Sequence, residues 1–200
     1  MQSGYQKYGE VMSEFQDEIK RCIDVLREGG LILYPTDTIW GIGCDATNPD
    51  AVKRVYELKK RDDSKALIVL LDDAGKLNRY VREVPEVAWD LIDNSDRPIT
   101  IIYSGVLNLA KNLMASDGTA AIRITSDEFC KQLIYKFGKP LVSTSANISG
   151  EPFGGRFQDV SSDILNGVDH TVDLHKNRPV GPPSSIIKLD PSGKFEIIRR

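Results

Sequence analysis

Along the chain, apolar positions at helical spacing alternate with short apolar runs of strand length. Phe15, Ile19, Ile23 and Leu26 recur every three or four residues, which predicts a helix with one buried face. Ser13 and Gln16 form a capping-box pattern at its start, and Gly29-Gly30 would stop it, so residues 1–12 read as a flexible tail. The run 31–34 predicts a buried strand, followed by a loop over 35–38. Asn48-Pro49 opens a second helix, with Asn as cap and Pro at the first helical position, running to about Lys60. The unbroken apolar run 66–71 predicts a strand covered on both faces. Short helices over 73–80 and 85–93 follow, then strands at 98–103 and 119–124. A helix over 127–137 is capped by Ser126 and ended by Gly138, and strand patterns return at 140–144, 170–174, 185–189 and 195–199. Such alternation predicts an α/β fold, a mixed sheet with helices packed on it. The Gly-rich stretch 149–157 reads as a mobile loop, and the chain after it is too short for an independent domain, which leaves residues 13–200 as a single domain.

Charge narrows the classes of partner. With 26 basic against 29 acidic residues the net charge is −3, which argues against nucleic acid as the main ligand. Cys22, Cys44 and Cys130 are odd in number and widely separated, so they predict neither a disulfide framework nor a zinc site but buried or free thiols of a reducing, cytoplasmic compartment. His170 and His175 fall on opposite faces of one strand pattern, which argues against a paired metal role. No metal site is expected. No apolar run approaches the length of a membrane span.

Three features suggest chemistry. Gly41-Ile42-Gly43-Cys44-Asp45-Ala46 fits a dinucleotide-binding pattern, but Thr47-Asn48-Pro49 delays the next helix, so close backbone packing is the better reading of these glycines. Lys59, Lys60, Arg61 and Lys65 cluster at a helix end; they are either a solvated terminus or, if the chain turns there, several cations aimed at one anion. Ser143-Thr144-Ser145-Ala146-Asn147-Ile148-Ser149-Gly150 follows a buried strand, where small hydroxyl and amide residues either make a turn or hold a nucleotide or amino acid. Arg123 stands in the apolar strand Ala120-Ala121-Ile122-Arg123-Ile124 and requires a partner, for which a ligand's carboxylate is suited.

In order along the chain, these segments resemble the YrdC-type L-threonylcarbamoyl-AMP synthases. Tyr34-Pro35-Thr36-Asp37-Thr38-Ile39-Trp40-Gly41-Ile42-Gly43 is similar to the family signature YPTETVYGLG. Lys59-Lys60-Arg61 matches its K-x-R motif, Ala121-Ile122-Arg123 its arginine-bearing strand, and Ser145-Ala146-Asn147 its S-x-N motif. Pro183-Ser184-Ser185-Ile186-Ile187 is similar to its P-S-T-V-V segment, and Arg199 to its closing arginine. Asp62 and Ala66 stand where the family usually has proline, Trp40 replaces the common tyrosine, and Thr144 stands where proline is frequent.

The resemblance implies a YrdC-like fold, a twisted mixed sheet with flanking helices around a basic concave cavity, in the short, single-domain form. It implies condensation of L-threonine, bicarbonate and ATP, with Mg²⁺ on the ATP phosphates, to threonylcarbamoyl-AMP and pyrophosphate, for tRNA modification by downstream threonylcarbamoyl-transfer proteins. Lys59 and Arg61 would be catalytic and neutralise the phosphates, Ser145, Asn147 and Arg199 would hold the nucleotide, and Thr36, Arg123, Ser143 and Ser184 would hold threonine. Lys59 should then contribute little to the core, and Arg123→Leu should leave the unliganded fold about as stable. The alternatives are a double-stranded RNA or tRNA binding module using the basic cavity, and a carbamoyl-adenylate domain like those of hydrogenase-maturation carbamoyltransferases.

Overall fold

The computed structural model describes residues 2–61 and 67–199, with side chains from residue 12 onward; Asp62, Lys65 and Ala66 lie outside the described residues. Among the described residues, nine strands form one mixed sheet: β1 (Ile32–Tyr34), β2 (Gly41–Gly43), β3 (Ile68–Leu71), β4 (Ile99–Tyr103), β5 (Ala120–Ile124), β6 (Leu141–Ser145), β7 (His170–Thr171), β8 (Ser185–Leu189) and β9 (Phe195–Arg199). Their spatial order is β7-β1-β2-β6-β3-β5-β4-β8-β9. The pairs β1/β7, β3/β5 and β4/β8 are parallel and the rest antiparallel. The α-helices of the described residues pack around it: α1 (Gln2–Arg27), α2 (Pro49–Leu58), α3 (Glu86–Asp93), α4 (Glu128–Phe137) and α5 (Ser162–Gly167).

The inner strands β1, β2, β3 and β5 are largely buried on both faces, whereas β9 at the sheet edge is exposed along its length, and the side-chain period of two divides the buried positions between two cores. Leu31, Leu33, Val69 and Leu71 join one core with Val52 and Val55 of α2. Ile32, Tyr34 and Leu70 join the other, under Ile19, Cys22, Ile23 and Leu26 of α1 and Phe129, Leu133 and Ile134 of α4. Each fully buried aliphatic side chain stabilises the fold by about 1.5–3 kcal/mol relative to exposure.

Several local expectations are met. Asn48 caps α2, its Oδ1 accepting from the amides of Asp50 and Ala51 at 3.0 and 3.2 Å. Gly138 ends α4 at φ 78°, in the left-handed region. The glycines 41 and 43 are strand residues of β2, and a Cβ on Gly43 would lie 2.6 Å from the Tyr34 ring and 2.8 Å from the Val142 carbonyl. Only glycine fits there, which settles the pattern as close packing rather than a dinucleotide loop.

Other expectations are corrected. α1 begins at Gln2, so Ser13 is interior and not a cap; with no proline before it, nothing obliges the helix to break. The cap of α4 is Asp127, which accepts from the Cys130 amide at 2.9 Å, while Ser126 turns its amide and hydroxyl to Asp37 Oδ2, both at 3.2 Å. Residues 74–79 form a 3₁₀ turn capped by Asp73, and α5 carried too short an apolar pattern to be foreseen.

Candidate functional site

On the face covered by α1 and α4 the helices shield only part of the sheet. Where they end, a cavity of about 280 Å³ opens over β2, β6, β3, β5 and β4, rimmed by the β1–β2 loop, residues 183–184 and β9. Pairing sets its floor: Gly41 lies opposite Ser145, and Ile68 lies opposite both Ser143 and Ala121. Thr36, Arg123, Ser143 and Ser184, the four residues expected around threonine, all line it. Of the residues expected around the nucleotide, Arg61, Ser145 and Arg199 line it, whereas Lys59 and Asn147 stand behind the wall.

Lys59 is 1% exposed, against the expectation that it contributes little to the core. Its Nζ donates to the carbonyls of Ser145 and Asn147, the latter at 2.7 Å, and its own carbonyl accepts from the Ser149 amide at 2.8 Å. The Ser145 hydroxyl donates to Asn147 Oδ1 at 2.6 Å, and Asn147 Nδ2 donates to the Glu151 carbonyl at 2.7 Å. The K-x-R and S-x-N segments are thus one bonded unit. Burial, reinforced by the nearby Arg61 guanidinium, lowers the Lys59 ammonium to about 7.

The residue between the two cations makes this possible. Lys60 adopts φ 48°, a left-handed turn just past the C-cap residue Lys59. The chain leaves the helix there, so Lys59 is buried, Lys60 is exposed and Arg61 reaches the cavity. The left-handed conformation costs a side-chain-bearing residue about 1–2 kcal/mol. Lys60→Gly is therefore expected to raise stability by about 1 kcal/mol with activity unchanged, read from urea melts and turnover.

Arg123 is 3% exposed and does have an acidic partner: its Nη2 lies 3.2 Å from Asp37 Oδ1, and its Nη1 donates to Thr38 Oγ1 at 3.2 Å. Among the described residues, its Nε makes no hydrogen bond and Asp37 Oδ1 accepts none. Asp37 and Thr38 belong to the signature loop, where Thr36 Oγ1 also donates to the Ile39 carbonyl at 2.7 Å. Sequence reading assigned no role to Asp37, although the need of Arg123 for a partner pointed to an acid. The pairing also speaks against the expectation that Arg123→Leu leaves the unliganded fold about as stable, because the substitution would strand the Asp37 carboxylate.

Arg199 donates to the Ser184 carbonyl from Nε and Nη2 at 3.0 and 2.7 Å, and Ser184 Oγ is 2.8 Å from Thr100 Oγ1. Burial and then the Arg123 guanidinium hold Arg199 below its ordinary value. Burial also lowers Arg61. Three guanidiniums therefore converge on a cavity whose lining, among the described residues, contains no carboxylate. Such a site favours a multiply charged anion beside small hydroxyl-bonding groups.

Comparison with known proteins agrees with that geometry. The threonylcarbamoyl-AMP synthase of Pseudoalteromonas translucida (strain TAC 125) is 35% identical over 161 residues, covering 79% of this chain and 86% of that protein. The threonylcarbamoyl-AMP synthase of Coxiella burnetii (strain RSA 331 / Henzerling II) is 31% identical over 190 residues, covering 94% and 100%. The crystal structure of P. abyssi Sua5 complexed with L-threonine superposes with a TM-score of 0.75 at 26% identity, over 86% of this chain and 50% of that one. The Sua5_yciO_yrdC family model, described as "Telomere recombination", matches residues 24–200. With that match and relatives at this identity, the chain belongs to the Sua5/YciO/YrdC family.

Proposed function

We infer that the protein is an L-threonylcarbamoyl-AMP synthase, using L-threonine, bicarbonate and ATP and releasing pyrophosphate. The observation that carries this reading is the convergence of Arg61, Arg123 and Arg199 on one cavity also lined by Thr36, Ser143 and Ser184. Arg123 meets the threonine carboxylate as a planar fork, and the hydroxyls of Thr36, Ser143 and Ser184 orient the amino acid. The amine takes up CO₂ from bicarbonate, with loss of one water, to give a carbamate. A carbamate oxygen attacks the α-phosphorus of ATP, the bond to the bridging oxygen breaks, and pyrophosphate leaves. Arg61 and Arg199 stabilise charge on the phosphates, Ser145 bonds the nucleotide, and Lys59 with Asn147 fixes the loop that presents Ser145. With no carboxylate in the described lining, Mg²⁺ enters as part of the nucleotide substrate, on ATP's own oxygens. The product is an activated carbamoyl donor of the kind that a threonylcarbamoyl transferase acting on tRNA would consume.

A duplex-binding module is the weaker reading, because duplexes require cations spread at phosphate spacing and these guanidiniums face one cavity. Pyrophosphate release should need both threonine and bicarbonate, and Arg61→Ala should slow it at least tenfold, about 1.4 kcal/mol of barrier. Release supported by carbamoyl phosphate without threonine would point to carbamoyl-adenylate chemistry. Salt-sensitive RNA binding without any pyrophosphate release would point to the binding module.

A further inference from the structure

Away from the cavity, at the opposite edge of the sheet, α1 meets β7 through three groups that the proposed reaction does not use. Glu18 and Cys22 are one helical turn apart on the buried face of α1, and His170 faces them from β7. One ligand atom from each lies within 4.8 Å of the other two. Glu18 Oε1 is 2.6 Å from His170 Nε2 and accepts from the Asp173 amide at 3.0 Å, while Arg21 Nη1 donates to Glu18 Oε2 at 3.0 Å.

Cys22 differs from the other two thiols. Cys130 Sγ donates to the Pro35 carbonyl at 3.4 Å and Cys44 Sγ to the Asp45 carbonyl at 3.8 Å. Cys22 is 0% exposed and, among the described residues, has no such acceptor; its thiol points at a carboxylate and an imidazole. Burial, with Glu18 beside it, pushes that thiol up, so it stays protonated without a cation to receive it.

We propose that Glu18, Cys22 and His170 form a site for a zinc-like divalent cation that staples α1 to the β7 edge. Thiolate, imidazole and carboxylate together are a borderline-soft donor set that suits Zn²⁺. Tetrahedral coordination with bonds of about 2.0–2.3 Å needs ligand atoms about 3.3–3.7 Å apart. Small side-chain rotations reach this, widening the Glu18–His170 contact and drawing Cys22 in. On binding, the Cys22 thiol releases its proton to solvent, and thiolate plus carboxylate then balance the dication. His170 is 20% exposed, which gives the fourth ligand, a water, its route from solvent. Arg21 stays on the second Glu18 oxygen and orients the carboxylate.

The fold gives the staple a purpose. β7 has two residues and is held to β1 through two register pairs, a weak edge by itself. The chain that leaves β7 leads on to Pro183 and Ser184 at the cavity, so fixing β7 anchors one end of that rim.

The test uses the full chain, stripped with chelator and titrated with Co²⁺ as an optical probe and with Zn²⁺ in melting experiments. The expected result is one equivalent bound with a thiolate-to-cobalt charge-transfer band, and a melting temperature about 5–10 °C higher at a hundredfold excess over Kd. Cys22→Ala and His170→Ala should each remove both signals, while Cys44→Ala keeps them. Circular dichroism of the stripped variants confirms that each is folded. No thiolate band in wild type, or a zinc-induced shift equal in Cys22→Ala, would overturn the site and leave a structural Glu–His pair. Pyrophosphate release does not enter the readout, so the outcome is independent of the proposed activity.

Discussion

Arg123→Leu is expected to destabilise the unliganded protein by about 3–5 kcal/mol and to abolish thermal stabilisation by threonine. The first effect follows from Asp37, whose side chain is 6% exposed and whose Oδ1 faces the guanidinium. Removing one member of a buried pair leaves the other as an uncompensated charge. The second follows from loss of the fork proposed to hold the substrate carboxylate. Saturating threonine at a hundredfold over Kd should raise the wild-type melting temperature by about 5–10 °C and the variant's not at all. The double variant Asp37→Leu/Arg123→Leu separates the two effects: it should recover most of the stability and none of the threonine shift. A single variant as stable as wild type would mean that Asp37 does not depend on Arg123. A shift retained in the double variant would place the threonine carboxylate elsewhere.

Lys59→Met is expected to cut turnover at least tenfold and stability by about 1–3 kcal/mol, because carbonyls of Ser145 and Asn147 lose a buried donor while the stem's volume is kept. Lys60→Ala should leave turnover nearly unchanged, since its side chain is exposed. The effect should also depend on pH. With the folded ammonium at about 7 and the unfolded one at its ordinary 10.5, the unfolded state binds more protons between those values. Wild-type stability should therefore gain on that of Lys59→Met as pH rises through this window. Parallel stability curves for the two proteins would mean that Lys59 stays charged in its pocket. Paired with Asn147→Ala, Lys59→Met should be non-additive by about 0.5–3 kcal/mol, as for groups in one bonded network.

Those two predictions also mark what the sequence could not supply. The alternation of periods placed α1 to α4 and every strand except β2 close to their observed ranges, because core strands leave unbroken apolar runs and amphipathic helices leave a 3.6-residue rhythm, whereas β2 has three residues, two of them glycine. It missed α5, which is short and half-polar, and misplaced the start of α1 because a cap signal does not forbid continuation. Part of the cavity's lining was legible in Arg123 and in the hydroxyls around Ser143, since such groups in apolar strands are costly without a ligand or partner, while Thr36 and Ser184 came only through the family resemblance. What stayed hidden was the direction of side chains across long separations. Lys59 reads as a surface cation until Ser145 and Asn147 are seen above it, and Asp37 reads as a loop residue until Arg123 is seen beside it.

The order of strands in the sheet has a consequence for synthesis on the ribosome. β2 and β3 are joined only through β6, which lies between them although about seventy residues of chain separate it from β3. Until β6 emerges, each of these earlier strands presents an unsatisfied backbone edge, and Lys59 has no carbonyls to hold. The nascent chain must therefore carry two open edges over about seventy residues of synthesis, the condition under which strands pair wrongly or between chains. Closure comes from a late strand inserting at the centre, a contact pattern that folds slowly. Shortening the chain just before β6 should thus give a product bound by chaperones and prone to aggregate, whereas release after β8 should give one that folds.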